Sequence, residues 1–318
     1  MRGLTTGTKA GHQKGNDMYK RILAPLDGSP MGDKVIPYVK NLGKIFEAEV
    51  ELFWVFDPRP EFFYPEPFLY QDRIDDSERY REEVLSAMYA AKNHLEAAGV
   101  AASVATRGPI TSEIGGENVG HRFYTPADYI VMESEKDPDT LIVMSTHGRS
   151  GVGRWVMGSV TDKVLRAVKT PLLIIRGEGN DAPLKGTIGH IIVPLDGSKM
   201  AEKILPHAVA WAKSLDAKVC LVQAVHDDKV DTEERGYLKK LAERIENEGV
   251  ASVEVVVLHG DAATAIVDLT NDYPDALVAM TTHGRSGVSR WLIGSVADRV
   301  IRHAAGPVLV LRAGEQIE

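Results

Sequence analysis

Glycines at a fixed spacing occur twice in this sequence, each time just before a predicted helix. In the first copy Gly148 is followed after nine residues by Gly158-Ser159, and in the second copy Gly284 has the same spacing to Gly294-Ser295. Glycine lets a backbone approach a ligand closely, and a helix N-terminus offers unpaired N–H groups with a partial positive charge. The pattern therefore predicts a cradle for phosphate groups in each copy.

The same glycine-serine pairs also have a simpler interpretation as ordinary helix starts. Ser159 with Asp162, and Ser295 with Asp298, have the Ser-x-x-Asp spacing of a capping box, in which side chains close the first turn of the helix. A plain cap therefore stays open as the alternative to a ligand site.

An aspartate follows the first predicted strand of each copy. Residues 21–29, RILAPLDGS, recur as residues 190–198, HIIVPLDGS, so that Asp27 and Asp196 come directly after an apolar run. Carboxyl ends of parallel strands share one edge of a sheet, and open α/β sheets bind ligands at that edge. A purely structural role, in which each aspartate closes a turn through its own side chain, is the alternative.

These features belong to a tandem duplication. Residues 145–176 and 281–312 align without gaps and are identical at more than half of their positions. Since Met18 directly precedes the first predicted strand, it is a second candidate start of the chain. The predicted divisions are a disordered leader at 1–18, a first domain at 19–176, a Gly-rich linker at 177–189, a second domain at 190–312 and a tail at 313–318.

Apolar runs alternate with helical periodicity in each copy, which predicts the fold class. In the first copy the predicted strands are 21–26, 49–56, 100–106, 140–144 and 171–176, and the predicted helices are 33–46, 79–98, 126–136 and 159–168. Strands with two apolar faces, separated by helices, predict a parallel sheet with right-handed crossovers. The sequence thus predicts an α/β protein of two tandem doubly wound parallel five-stranded sheets, Rossmann-like in type.

Two insertions distinguish the first copy from the second. Residues 57–98 are a longer connection than their counterpart 226–248, and they include a run at 57–73 that is rich in prolines and aromatic residues. No regular helix is predicted for that run. Because it starts beside the predicted pocket, residues 57–72 are interpreted as a lid, a partner-docking patch or a plain covering loop. The second insertion, at 109–124, also lies in a connection, where added residues cost little.

The composition excludes several classes of protein. With 318 residues and a formal net charge of −8, the chain has no general attraction for nucleic acid or anionic membranes. It contains no apolar stretch of about 20 residues and no secretory signal. Cys220 is the single cysteine, so neither an intramolecular disulfide nor a multi-cysteine metal site can form, and a cytoplasmic location is predicted.

Several enzyme motifs are also missing. The sequence has no GxxxxGK[ST] loop, no GxGxxG after a first strand and no GxSxG elbow. No acid–base partner adjoins His147 or His283, and bonding to the loop backbone is the favoured role for both. Arg149 and Arg285 are interpreted either as phosphate ligands or as surface charges. The ten histidines show no paired metal-ligand spacing, so neither a catalytic residue nor a metal site is predicted.

At these residues the sequence resembles the universal stress protein (UspA-like) family, in particular its tandem two-domain members. The family's nucleotide-binding pattern is G-x2-G-x9-G-[ST]. Its last three fixed positions match in both copies, whereas Ser145 and Thr281 replace its first glycine. The resemblance covers nearly everything after the leader, and it implies an adenine nucleotide alpha hydrolase-like fold that binds ATP.

The resemblance also implies which residues meet the nucleotide. In the first copy they are Pro25, Leu26, Asp27, Val55, Ser145, Gly148, Arg149, Gly158, Ser159, Val160 and Thr161. In the second copy they are Pro194, Leu195, Asp196, Ala224, Thr281, Gly284, Arg285, Gly294, Ser295 and Val296. Because Ala224 is smaller than Val55 and Ala297 lacks the hydroxyl of Thr161, tighter binding is expected in the first copy. Any Mg²⁺ is expected to arrive with the nucleotide.

The implied function is that of a stress-response sensor or switch which binds ATP or another adenine nucleotide, with slow hydrolysis at most. The alternatives are an interaction scaffold of the same fold that binds no nucleotide and, more weakly, a slow ATPase. The resemblance further implies that the last strands, PLLIIR and PVLVLR, pair within one chain as a covalent version of a homodimer. Further homodimer formation stays open.

Overall fold

A computed structural model describes residues 18–30, 32–56, 70–108, 124–146, 157–176, 188–225, 232–283 and 293–312, with residues 70–77 described by their backbone. Residues 1–17 of the predicted leader, most of the predicted linker, the predicted tail and the aromatic segment at 57–69 lie outside these residues. Predictions about the leader, the linker and a lid therefore stay predictions.

Both copies alternate strands with helices. The first copy contains β1 (Arg21–Leu26), α1 (Ile36–Ile45), β2 (Glu49–Val55), α2 (Tyr70–Ala97), β3 (Ala102–Arg107), α3 (Pro126–Ser134), β4 (Thr140–Ser145), α4 (Ser159–Ala167) and β5 (Leu172–Ile175). The second contains β6 (His190–Pro194), α5 (Lys199–Glu202), α6 (Leu205–Leu215), β7 (Lys218–Val225), α7 (Thr232–Asn247), β8 (Val253–His259), α8 (Ala262–Asp272), β9 (Ala276–Thr281), α9 (Ser295–His303) and β10 (Val308–Leu311).

The ten strands form one continuous sheet in the order β3-β2-β1-β4-β5-β10-β9-β6-β7-β8. Neighbouring strands are parallel within each copy. At the centre, β5 and β10 pair antiparallel, with Val308 opposite Ile174 and Leu309 opposite Leu173. The α/β class with five parallel strands per copy is confirmed, and the expected pairing of the two last strands is observed.

The predicted element boundaries agree closely with the structure except at α2. This helix begins at Tyr70, nine positions before the predicted start, so that residues 70–73 of the run predicted to be non-helical are helical. The reason is the position of the last proline, Pro67. A proline blocks helix only at and just before its own position, and the chain can turn into a helix soon after it.

Helices cover the sheet on both faces. One apolar cluster includes Leu42 from α1, Leu52 and Trp54 from β2, and Trp211 from α6, whereas Phe53 joins the cluster on the other face with α3 and α4. The alternation of neighbouring residues between faces follows from the period of two in a strand. Among them, Cys220 is buried in β7, and burial, followed by the charge of Glu254, raises the pKa of its thiol to about 12.

An aromatic cluster with one polar link joins the two copies on the face of α1 and α6. Tyr19, 2% exposed, packs edge-on against Phe46 and close to Trp211. The indole N–H of Trp211 donates to the Tyr19 hydroxyl over 3.2 Å, and that hydroxyl lies 2.7 Å from Nδ1 of His207. The Tyr19 hydroxyl of the first copy thus bonds to two side chains of the second copy, Trp211 and His207.

A glycine closes the turn that follows β1. Gly28 has a φ of 74°, and a Cβ there would lie 2.5 Å from Cγ2 of Val84 in α2. Both the left-handed backbone and the close approach of α2 therefore require glycine. Gly99 also has a positive φ, 82°, but a Cβ at Gly99 would meet no atom within 4 Å.

The buried link between the copies makes stability depend on pH. Burial lowers the pKa of His207 to about 4 from its ordinary 6.5. The unfolded chain therefore takes up a proton before the folded one does as the pH falls. We expect up to about 3 kcal/mol of unfolding free energy to be lost between pH 6.5 and pH 4. In His207→Asn, which stays neutral, urea unfolding should show a smaller loss over that range, and equal losses in both proteins would contradict this.

Gly28 and Gly99 both have a positive φ, and substituting each of them separates backbone strain from steric overlap. Gly99→Ala should cost about 1 kcal/mol of unfolding free energy, since it adds only the strain of a left-handed backbone. Gly28→Ala should cost about 1–3 kcal/mol more, because its methyl group also overlaps Val84. Urea unfolding of both variants at pH 7 measures the difference, and equal costs would contradict the close packing of α2 on the turn.

Candidate functional site

The predicted site residues lie at the carboxyl ends of adjacent strands. In the first copy β1 pairs with β2 on one side and with β4 on the other. The chain runs outward from β1 to β2 and β3 and then returns to β4, so the strand order reverses between β1 and β4. The second copy has the same reversal between β6 and β9. Open α/β sheets bind ligands in the crevice at such a reversal. Asp27 and the start of α4 lie on either side of it in the first copy, as Asp196 and the start of α9 do in the second.

The turn after β1 is held by hydrogen bonds to Asp27. Its Oδ1 accepts from the Ser29 backbone N–H at 3.1 Å and from the Ser29 hydroxyl at 2.6 Å, and Ser29 Oγ in turn accepts from the Gly32 N–H at 3.0 Å. The hydroxyl of Tyr80 in α2 donates to the Asp27 carbonyl at 2.7 Å. The structural role considered for Asp27 is therefore observed, because its side chain closes the turn that follows β1.

The second copy repeats part of this turn with different neighbours. Oδ1 of Asp196 accepts from the Ser198 N–H at 3.0 Å, and Ser198 Oγ caps α5 by accepting from the Ala201 N–H at 3.1 Å. The Tyr237 hydroxyl donates to Glu202 rather than to the main chain of the turn. Desolvation raises the pKa of Tyr237, and the carboxylates of Glu202 and then Asp196 raise it further. Two carboxylates of the second copy, those of Glu202 and Asp196, therefore lie close enough to the Tyr237 hydroxyl to act on it.

The two glycine-serine pairs begin their helices in the same way. The Gly158 N–H donates to the Thr146 carbonyl at 2.7 Å, and the Gly294 N–H donates to the Thr282 carbonyl at 2.8 Å. A Cβ on Gly294 would lie 3.1 Å from that carbonyl oxygen. Any larger residue would thus push the start of α9 away from the end of β9.

The predicted capping boxes are wrong. The N-caps are Gly158 and Gly294, with no side-chain cap bond among the described residues, so each serine is one position too late to cap. The aspartates of the two predicted boxes pair instead with an arginine one turn further on: Asp162 with Arg166, and Asp298 with Arg302. Among the described residues, no side chain therefore caps the first N–H groups of α4 or α9.

The residues that replace the motif's first glycine make hydrogen bonds at the ends of β4 and β9. Ser145 is buried at the end of β4, and its carbonyl accepts from the Thr161 hydroxyl at 2.9 Å. The Thr161 hydroxyl thus ties α4 to β4, a bond that Ala297 cannot make in α9. In the second copy the Thr281 hydroxyl instead donates to the His283 carbonyl at 2.7 Å.

His283 makes a different contact from the predicted one. Its Nδ1 lies 2.8 Å from the Thr282 hydroxyl, a side chain rather than the loop backbone. Its Nε2 is buried without a hydrogen-bond partner among the described residues. A buried polar atom without a partner carries an energetic cost that a bound ligand or water can remove.

The remaining predicted residues line the same edges. Leu26 and Leu195 are buried beneath the aspartates, and Pro194 is buried whereas Pro25 is half-buried. Val55 ends β2 and packs against the cluster on the α3 and α8 face, and Ala224 is the residue before the last one of β7. Ser159 and Ser295 are exposed, and Val160 and Val296 are half-buried. Outside the described residues lie Gly148, Arg149, Gly284 and Arg285, together with His147.

Other residues shape the site without standing out in the sequence. Tyr80 reaches the Asp27 turn from a helix 53 positions later in the chain. Thr146 and Thr282 receive the helix-starting N–H groups, and each is the residue after its strand. Recurrence of Thr-His-Gly in both copies was a usable signal for the threonines, whereas Tyr80 has no counterpart in the repeat.

The described residues hold neither a candidate metal site nor a candidate membrane span. No group of three or more His, Cys, Asp and Glu side chains there is placed to hold a metal ion. Nor does that part of the chain contain a helix long and apolar enough to cross a membrane.

Comparison with known proteins identifies the family. The sequence signature of the universal stress protein family matches residues 18–176 and again residues 187–312. A universal stress protein of Methanocaldococcus jannaschii is 30% identical over 164 residues, 52% of this chain and 86% of that protein. One from Synechocystis is 24% identical over 297 residues, 92% of this chain and all of its own length.

A solved structure shares the whole arrangement. The crystal structure of a universal stress protein from Archaeoglobus fulgidus superposes with a TM-score of 0.68 at 24% identity, covering 93% of this chain and 99% of that one. At this identity the similarity supports the fold alone. The two family matches, one to each copy of the repeat, show that this chain belongs to the universal stress protein family with two tandem copies.

Proposed function

We propose that the protein binds ATP or another adenine nucleotide at the carboxyl edge of each copy, and that nucleotide occupancy sets its state as a stress-response sensor or switch. The observation that carries the proposal is the repeated juxtaposition at the strand-order reversal. In each copy the turn of an aspartate follows one strand, and a helix start, which has no side-chain cap among the described residues, lies against the end of the adjacent parallel strand.

The phosphate end of each site would be formed by the starts of α4 and α9. Gly158 and Gly294 bring the backbone against the preceding strand, and the N–H groups that follow them lack a side-chain cap among the described residues. Such N–H groups, with the positive end of the helix dipole, favour an anion. In the second copy the unpartnered Nε2 of His283 supplies a further polar atom at this loop.

The base and ribose would lie against the ends of the first two strands. Leu26 and Val55 offer apolar surface in the first copy, and Leu195 and Ala224 take their places in the second. The carboxylate of each aspartate already holds its turn through one oxygen. These residues bind and orient a nucleotide. Among those described, we assign none as a general base, so the proposal includes no hydrolysis step.

Tighter binding in the first copy follows from two differences. Val55 presents more apolar surface than Ala224. The Thr161 hydroxyl also fixes α4 to β4, whereas α9 has Ala297 at this position. The first site is therefore better ordered before the ligand arrives, which lowers the entropic cost of binding.

Paired glycine substitutions test both sites by equilibrium titration calorimetry with ATP. Gly158→Asp should remove the tighter site and Gly294→Asp the weaker one, because each places a carboxylate where the phosphates are expected. The controls Gly158→Ala and Gly294→Ala add a methyl group without charge and should retain more affinity. Thermal unfolding of each variant verifies that it is folded.

The stoichiometry decides between the function classes. The wild-type chain should bind two nucleotides and each aspartate variant one. Two bound nucleotides in both aspartate variants would overturn the assigned sites. No binding by the wild-type chain would support the alternative, a scaffold that keeps the fold without the ligand.

A further inference from the structure

The C-terminal ends of α4 and α9 each accept hydrogen bonds from an arginine of the opposite copy. Arg312 follows β10 of the second copy, and its Nη1 donates to the carbonyls of Arg166 at 2.5 Å and Ala167 at 3.2 Å, which end α4 of the first copy. Reciprocally, Arg176 follows β5 of the first copy and donates to the carbonyl of Ala304, the C-cap of α9. Each arginine is the last residue of the repeated segment.

Each arginine also lies beside the loop of its own copy. The Thr282 N–H donates to the Leu311 carbonyl at 3.0 Å, and the Thr146 N–H donates to the Ile175 carbonyl at 2.9 Å. Leu311 and Ile175 directly precede Arg312 and Arg176. The backbone of each arginine therefore adjoins one candidate site, while its guanidinium contacts the helix that begins at the other.

Charged side chains also link α4 directly to α9. Arg302 of α9 lies 3.8 Å from Asp162 of α4, in addition to its 3.0 Å contact with Asp298. The pKa of Arg166 is raised first by its hydrogen bonds to Asp162, and in smaller part by the charge of Asp298 from the second copy. The two helices thus share one cluster of two carboxylates and two guanidinium groups.

Short helices depend on such contacts. Both α4 and α9 have nine residues, a length at which a helix in water is not stable by itself. The last carbonyls of a helix have no partner within it, and a cation there also complements the helix dipole. Arg312 meets both needs for α4, as Arg176 does for α9. Because α4 spans only about 14 Å, order at its C-terminal end extends to the N–H groups at its start.

We propose that Arg312 and Arg176 are positioning residues that act across the copies: each holds the phosphate-binding helix of the opposite copy, so that the affinity of each site depends on the other half of the chain. This inference rests on the proposed function, because it assigns a regulation to the same two sites. Tandem joining of the copies then has a consequence for binding as well as for stability.

The test is whether each arginine affects ATP affinity only at the site of the opposite copy, measured by titration calorimetry on the full chain. With Gly294→Asp as background only the first site is available, and Arg312→Met should weaken it about threefold to tenfold. With Gly158→Asp as background only the second site is available, and the same substitution should leave its affinity unchanged. Arg176→Met should show the reverse pattern.

Two control variants separate the loss of the Arg312 hydrogen bonds from the loss of a positive charge near the end of α4. Arg312→Lys keeps the charge and a donor, and it should recover part of the lost affinity. Lys169→Met removes an exposed positive charge close to the end of α4 and should leave affinity unchanged, because Lys169 does not hold the terminal carbonyls. Hydrogen exchange in nucleotide-free protein gives an independent readout: Arg312→Met should speed exchange in the last turn of α4 and not in α9.

The outcomes distinguish this inference from the proposed function. If the wild-type chain binds no ATP, the proposed function fails, and this inference fails with it. If both backgrounds bind ATP but Arg312→Met weakens the second site instead of the first, or neither, the cross-copy role is wrong and the proposed function stands. Loss at the first site with faster exchange in α4 supports the inference.

Discussion

The antiparallel pairing of β5 with β10 is the interaction on which the rest of the structure depends. All other neighbouring strands are parallel, so this single junction turns the second copy by half a revolution relative to the first. Four residues of each strand suffice, because Leu173, Ile174, Val308 and Leu309 are fully buried between helices on both faces. The junction directs the two carboxyl edges in opposite directions and sets α4 beside α9.

Once that junction forms, contacts that are weak in isolation support one another. The aromatic cluster around Tyr19 closes one face, and the charges of α4 and α9 meet on the other. These contacts are not symmetric copies. Tyr19 and Trp211 stand where the duplicated positions are Ile188 and Leu42, so the polar bond to His207 occurs on one side only. Duplication produced the arrangement, and later substitution made the halves unequal.

Much of the fold follows from patterns that extend over a few residues. Apolar runs separated by helical periodicity predict the strands and helices, and the repeat predicts that both copies share one topology. Local patterns predict the first residue of a helix less well than the presence of the helix. The capping boxes are wrong because the backbone turns helical one residue earlier than N-caps at Ser159 and Ser295 require, which makes glycine the N-cap. The start of α2 was also predicted at the wrong residue, because a local pattern does not fix where a helix begins.

Contacts between distant residues were beyond prediction. Arg312 bonds to Arg166 across 146 positions and Tyr80 to Asp27 across 53, and neither pair has a spacing that a sequence pattern encodes. The site itself is intermediate. The repeat and the family motif mark its aspartates and helix starts in the sequence, whereas no sequence pattern signals the hydrogen bond from the Thr161 hydroxyl to the Ser145 carbonyl.

We propose above that each half of the chain holds one adenine nucleotide. Native mass spectrometry of the full chain, titrated with ATP, counts bound ligands directly and resolves the two occupancies. We expect a singly bound species at low ATP, filled at the first copy, and a doubly bound species at saturation. A chain that keeps its unliganded mass at saturating ATP would contradict it.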